Sequence, residues 1–164
     1  MSALRPCLWF DGQAEEAVRF YVSLLPGSAI DTIVLAPKGT PGRAEGEALM
    51  IDFTLKEQPY SALNGGPQYA FTPAVSIIVP CEKQAEVDRL WDTLSSDGGE
   101  AVACGWVRDR YGLSWQIVPQ RLLEMLKSRD LEPRQRAFEA MTRMVKLDIA
   151  ALEAAWAGQS PSSS

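Results

Sequence analysis

The sequence predicts an α+β fold in which two strand–helix–strand modules are followed by C-terminal helices. Short apolar runs suited to buried strands alternate with segments whose apolar residues recur at helical spacing. This order of elements starts again near residue 74, and after Pro119 the helical spacing continues without strand-like runs. With 164 residues, of which 46% are hydrophobic and 23% charged, the chain is long enough to bury the core of one domain.

The first module begins with a predicted strand over residues 4–10, which is short and apolar on both sides. Asp11 and Gly12 then indicate a turn, and a helix follows because apolar residues recur three or four positions apart. The apolar face of this helix comprises Ala14, Ala17, Val18, Tyr21, Leu24 and Leu25. The module continues with strands over 28–36, 49–55 and 59–63, a loop rich in proline and glycine over 37–46, and a closing turn over 64–67.

The second module repeats this order of elements. Shifting the chain so that Arg19 meets Arg89 also brings similar apolar residues of the two helices together, which favours an internal duplication. A charged turn over 108–112 joins the last two strands of the module. Its predicted elements are a strand over 74–79, a helix with Val87, Leu90, Trp91 and Leu94 on one face, and strands over 101–107 and 113–118.

The C-terminal part of the chain, after Pro119, is predicted to contain three helices. Pro133 suits the first turn of the second helix, and Asp148 is the expected N-cap of the last. Residues 158–164 are predicted to form a disordered tail. The apolar positions of the three helices are Leu122, Leu123 and Leu126, then Ala137, Phe138, Met141 and Met144, and finally Ile149, Leu152 and Trp156.

Composition excludes several classes of function. The net charge of −5 argues against nucleic acid or an anionic membrane surface as a partner, because both attract basic patches. No apolar run reaches the ~18 residues of a spanning helix, and the N-terminus lacks the apolar core of a signal peptide, so a cytoplasmic location is expected. The absence of histidine excludes Ser-His-Asp and Cys-His catalysis and any histidine-ligated metal. The three cysteines form no CxxC pair, which favours neither a disulfide framework nor a zinc knuckle.

Three stretches of the chain resemble a known family: residues 10–21, residues 62–67 and residues 104–119. Together they are similar to the PhnB-like branch of the vicinal oxygen chelate superfamily. Glyoxalase I, fosfomycin-resistance enzymes, extradiol dioxygenases and bleomycin-resistance proteins belong to that superfamily. Members of the branch often carry the label 3-demethylubiquinone-9 3-methyltransferase, although the Asn64-Gly65-Gly66-Pro67 stretch is predicted to be a turn and not a methyl-donor site, because no helix pattern begins after it.

The resemblance implies a specific architecture. Two βαβββ modules, at about 3–67 and 73–119, would form a cupped mixed sheet of the glyoxalase/bleomycin-resistance/dioxygenase type. Added helices over 120–157 would complete a single domain over residues 1–157, ahead of the disordered tail. Members of the superfamily usually pair, so a homodimer is also expected.

The resemblance also indicates where a metal would be bound if the chain held one. The side chains at those positions are neutral or cannot coordinate, so neither a catalytic metal nor another cofactor is predicted. A carboxylate site formed by Asp52 and Glu57 is the alternative. The implied positions lie near Pro6, near Ser61 or Ala62, at Ala74 or Ser76, and at Gln116, where the pattern begun by Asp109 and Gly112 has a glutamate in the metal enzymes.

The ligand pocket is expected to be lined by alternate residues of the inner strands. A slip of one residue in this assignment would bring in Trp9 and Trp115 instead. The candidate lining residues are Leu8, Phe10, Phe53, Asn64, Ser76, Trp106 and Gln116.

The sequence thus predicts a metal-independent protein that binds a small, partly aromatic molecule. One alternative is an enzyme of lyase, isomerase or transferase type that acts on a small polar substrate, with Asp52 or Tyr69 as the acid or base. Another is a dimeric protein whose pocket is filled by its own side chains.

Overall fold

The computed structural model describes residues 4–159. The chain divides into two compact units, of which the first ends at Phe71 and the second begins at Thr72. Each unit contains one four-stranded mixed sheet and at least one helix, which confirms the predicted α+β fold. The boundary between the units falls between the two predicted modules.

The first unit has the βαβββ order, and its strands lie in the sheet in the order β1-β4-β3-β2. Strands β1 and β4 are parallel, whereas β3 is antiparallel to both of its neighbours. Strand β1 begins later than predicted because Pro6 has no N–H to donate, although its carbonyl accepts from Ser61 N at 2.9 Å. The elements are β1 (Cys7–Phe10), α1 (Ala14–Leu24), β2 (Ala29–Leu35), β3 (Ala48–Leu55) and β4 (Gln58–Asn64).

Helix α1 covers one face of this sheet. The residues of its predicted apolar face are all buried, and so are the alternate residues Ile51, Phe53 and Leu55 of β3. Asn64 attaches the start of the helix to the sheet: its Oδ1 accepts from Ala14 N at 2.9 Å, and its Nδ2 donates to Ala48 O at 2.9 Å. Because Gln13 makes no side-chain cap, Asn64 satisfies a backbone donor that would otherwise lack a partner in the first turn of α1.

The loop over residues 37–46 is closed at its base. Ala36 N donates to Glu47 O at 2.7 Å, and Gly46 N donates to Ala36 O at 2.9 Å. Within the loop the Arg43 guanidinium packs against Gly12, where an added Cβ would lie 3.1 Å from Arg43 Nη2. This contact joins the loop to the turn between β1 and α1.

The second unit has its strands in the order β5-β8-β7-β6, with β5 parallel to β8. The single strand predicted over 101–107 is wrong: Cys104 and Gly105 have φ values of 60° and 79°, and this turn divides the segment into two short strands. Strand β5 extends through Pro80, which is tolerated because β5 lies at the edge of the sheet. The elements are β5 (Ser76–Cys81), α2 (Gln84–Ser95), β6 (Glu100–Ala101), β7 (Trp106–Arg108), β8 (Ser114–Pro119), α3 (Gln120–Lys127), α4 (Leu131–Thr142) and α5 (Ile149–Trp156).

The three C-terminal helices belong to the second unit and share an apolar cluster with the end of β8. Pro133 lies in the first turn of α4, as predicted, and Asp148 caps α5 by accepting from Ala151 N at 2.8 Å. None of the helices within residues 4–159 has the length and apolar character needed to cross a bilayer. Most of the predicted tail, residues 160–164, lies outside the described part of the chain. The buried members of the cluster are Val118, Leu122, Met125, Ala137, Leu147 and Leu152.

Candidate functional site

In each unit one face of the sheet packs against the unit's own helix, and we call the opposite face the open face. Strand alternation decides which residues lie on it. In the first unit the open face carries a polar row that crosses all four strands, because the register pairs Thr32 with Asp52, Asp52 with Ser61, and Ser61 with Cys7. The row reaches β2 through a register shift at Asp31, which places Thr32 opposite Asp52.

Asp52 is the centre of this polar row. Its Oδ1 accepts from Ser61 Oγ at 2.5 Å, and its Oδ2 lies 2.9 Å from Arg5 Nη1. Partial burial of the Cys7 thiol raises its pKa, and the negative charge of Asp52 raises it further. The thiol is therefore protonated at neutral pH and is a weak nucleophile.

An apolar row lies beside the polar one on the same open face. The register pairs Val34 with Met50, Met50 with Leu63, and Leu63 with Trp9. The Trp9 ring lies over the turn after β4, where its Nε1 donates to Gly66 O at 2.8 Å. Tyr69, the alternative acid or base, is exposed and contacts Trp9 edge-on with ring centroids 5.0 Å apart.

The position of Trp9 depends on Gly65. A Cβ added at Gly65 would lie 2.3 Å from Trp9 Cζ2, so Gly65→Ala forces the indole off the turn. We expect this substitution to lower the free energy of unfolding by about 2 kcal/mol, as overpacking does elsewhere. Urea unfolding measures the loss.

The control is the same substitution in a Trp9→Ala background, where the clash is absent. There Gly65→Ala should change stability by no more than about 0.5 kcal/mol, which is the usual range for a substitution that breaks no packing contact or hydrogen bond. An equal loss in both backgrounds would contradict the proposed contact.

In the second unit the open face carries a hydrogen-bonded pair of neutral polar side chains. Gln116 Nε2 donates to Ser76 Oγ at 2.8 Å. Register places Trp106 and Ile78 on either side of Gln116, on the neighbouring strands β7 and β5. The pair therefore lies between an aromatic and an aliphatic side chain. All four side chains are at least partly accessible, so a ligand can reach this face.

The charged turn before β8 has a structural role. Asp109 is only 2% exposed, and one of its oxygens accepts from Tyr111 N at 2.8 Å and Leu113 N at 3.0 Å. The other oxygen accepts from Trp115 Nε1 at 2.8 Å. Asp109 therefore stabilises the turn and orients Trp115 on the helix-covered face of the sheet.

The candidate pocket residues fall on two different kinds of surface. Ser76, Trp106 and Gln116 lie on the open face of the second sheet, close to one another. The other four lie on the helix-covered face of the first sheet, where they pack in the core or attach α1. The prediction for these four was displaced by one residue, which exchanges the two faces of a strand, so that Trp9 lies on the open face instead. Those four residues are Leu8, Phe10, Phe53 and Asn64, each at most 6% exposed.

The sequence-based prediction named Asp52 as a possible acid or base but did not place it on the open face, although the sequence contains a signal for that placement. Helix α1 has a strongly apolar face and must cover the more apolar alternate set of β3, which is Ile51, Phe53 and Leu55. That choice leaves Asp52 and its neighbours for the open face. Nothing in the sequence indicated the ion pair between Arg5 and Asp52, because the two residues are far apart in the chain.

The donor set does not fit a divalent metal. Within residues 4–159 no three His, Cys, Asp or Glu side chains come together to hold an ion. At the positions that the resemblance implies in the second unit, Ser76 and Gln116 are neutral and bonded to each other. In the first unit the Asp52 carboxylate already pairs with Arg5.

Comparisons with known proteins agree with this architecture. A family model described as 3-demethylubiquinone-9 3-methyltransferase matches residues 2–118. A PhnB protein from Bacillus cereus is 32% identical, with a TM-score of 0.66, and the match covers 72% of this chain and 99% of that chain. The chain belongs to this family. The sequence-based prediction of a PhnB-like protein is thereby confirmed.

More distant structures share the fold of this PhnB-like chain. The protein PA1353 from Pseudomonas aeruginosa is 21% identical with a TM-score of 0.56, and the match covers 70% of this chain and 95% of that one. The fosfomycin resistance protein FosX from Mesorhizobium loti is 10% identical with a TM-score of 0.51, covering 77% and 98% respectively. No curated protein matches the chain. Helices α3 to α5 lie beyond the residues that the family model covers.

Proposed function

We propose that this PhnB-like protein binds a small, partly aromatic molecule without a metal ion. The observation that carries the proposal is the Gln116–Ser76 pair, which lies beside Trp106 on the open face of the second sheet. A neutral amide and a hydroxyl orient a ligand by hydrogen bonds, and an indole next to them supplies a flat apolar surface. Sites of this composition are typical of small-molecule binding.

Two other features within residues 4–159 agree with binding rather than catalysis. Asp52 is held by Arg5 and Ser61, so its carboxylate is committed to a structural contact. We derive no methyl-transfer step, because no helix follows the Asn64–Pro67 turn and the space above Gly65 is filled by the Trp9 ring. The homodimer and the cytoplasmic location stay predictions.

The proposal is tested by measuring metal content and ligand binding on the same preparation. We expect elemental analysis to find no stoichiometric transition metal, and a thermal-shift screen of aromatic metabolites to give hits that persist in EDTA. A Gln116→Leu variant should lose these hits, whereas Gln135→Leu, the same change on an exposed helix position, should keep them. Stoichiometric zinc, nickel or manganese, or the loss of every hit in EDTA, would overturn the proposal.

A further inference from the structure

The direction of the Gln116–Ser76 hydrogen bond restricts which ligand groups the pair can recognise. Because Gln116 Nε2 donates to Ser76 Oγ, the serine hydroxyl hydrogen is left to donate elsewhere. Gln116 Oε1 is left to accept, and neither side chain has a second hydrogen bond within residues 4–159. The pair therefore presents the Gln116 Oε1 acceptor together with two donors, the serine hydroxyl and the second hydrogen of Nε2. Reversing the amide would leave the Ser76 oxygen free to accept and both Nε2 hydrogens free to donate, so the pair would still offer an acceptor beside donors.

The side chains around the pair favour a flat ring. Trp106 lies directly across from Gln116 on the antiparallel strand β7, a position where side chains of neighbouring strands touch. Ile78 flanks Gln116 on the other side and is 51% exposed. An aromatic ring can thus stack on the indole while its polar edge meets the amide and the hydroxyl.

The charges near the pair favour a neutral ligand. Strand alternation places the charged side chain of Arg108 on the same open face, two residues from Trp106, and it forms an ion pair with Glu100 on the neighbouring strand. Since each of these charges already has its counterion, neither adds a net attraction for an ionised group. An anionic ligand beside Trp106 would lose hydration without gaining a partner, and a cationic one would gain only the indole face, since Glu100 is already paired with Arg108.

We propose that the ligand of this site is a neutral heteroaromatic lactam, a ring in which an N–H stands next to a C=O. Its N–H donates to Gln116 Oε1, its carbonyl accepts from the Ser76 hydroxyl, and its ring stacks on Trp106. This assignment rests on the function proposed above and names the ligand class of the same site.

The test uses three probes that differ only at the edge that meets the pair: 2-quinolone, N-methyl-2-quinolone and quinoline. Isothermal titration of the full chain is expected to give a Kd for 2-quinolone at least about tenfold lower than for the other two, because each of them leaves a polar group of the site unpaired. Gln116→Leu and Ser76→Ala should each remove this preference. Gln135→Leu should retain it, and Trp106→Leu should weaken all three probes together.

Equal affinities for the three probes, or no binding of 2-quinolone, would overturn the assignment of a lactam. That failure is distinct from failure of the proposed function, which concerns metal-free binding of any aromatic metabolite in the screen. A preference for 2-quinolone that survives in Gln116→Leu would also overturn the assignment, since the selective contact would then lie elsewhere.

Discussion

Replacing Asp109 with alanine is expected to lower the free energy of unfolding by about 3 to 5 kcal/mol. The carboxylate is almost fully buried and accepts hydrogen bonds from two backbone N–H groups and from the Trp115 indole. Alanine leaves these three donors buried without an acceptor, and water has little access to take the place of the carboxylate. Urea unfolding followed by tryptophan fluorescence measures the loss.

Two further variants separate the role of these hydrogen bonds from that of the side chain's volume. Asp109→Asn keeps the shape and the oxygen that faces Tyr111 and Leu113, but it turns an N–H₂ toward the Trp115 indole. It should lose an intermediate amount. Asp92→Ala removes a carboxylate of the same size whose side chain is 73% exposed on helix α2, and it should cost less than about 1 kcal/mol. A loss for Asp109→Ala as small as that for Asp92→Ala would contradict the structural role.

Gly105→Ala is expected to cost about 3 kcal/mol or more, through backbone strain and overpacking together. Gly105 has a φ of 79°, and a Cβ there would lie 2.9 Å from Ile117 O and 2.8 Å from Leu147 Cδ1. The same residue donates from its N–H to Val145 O at 2.8 Å, so the segment before α5 is attached at this point. Equilibrium unfolding is the measurement.

Gly27→Ala is the matched control for this substitution. Gly27 has a nearly identical φ of 78°, yet no atom lies within 4 Å of an added Cβ. Its replacement should therefore cost only the conformational strain, about 1 kcal/mol. If the two variants lose the same stability, the clash of the added Cβ at position 105 with Ile117 and Leu147 contributes nothing to the loss.

The helices were predictable from sequence because their signal is local. Apolar residues spaced by three and four positions identified the buried faces of α1 and α2, and every residue named for those faces is buried. Asp148 was recognised as a cap from its own position. The turn at Cys104 and Gly105 was missed because Cys104 has a left-handed conformation, which is uncommon for a residue other than glycine.

The candidate site could be predicted only in part. Ser76, Trp106 and Gln116 were named as lining residues, and they do lie together on one open face. In the first unit the same reasoning from strand alternation selected residues that face helix α1 instead of the open face. In β3 the more apolar alternate set marks the covered face, but β1 is apolar on both sides, so alternation there does not say which set a helix will cover.

Motifs in three stretches were sufficient to predict the family by resemblance, and spacing was sufficient to predict the two modules and the helix faces, because each is a property of residues close together in the chain. Tertiary structure decided which distant residues meet and, for strands that are apolar on both sides, which face is open. Ser76 bonds to Gln116, and Arg5 reaches Asp52, across long stretches of chain. Such contacts depend on strand order and register, which side-chain packing of the whole unit selects and no local pattern records.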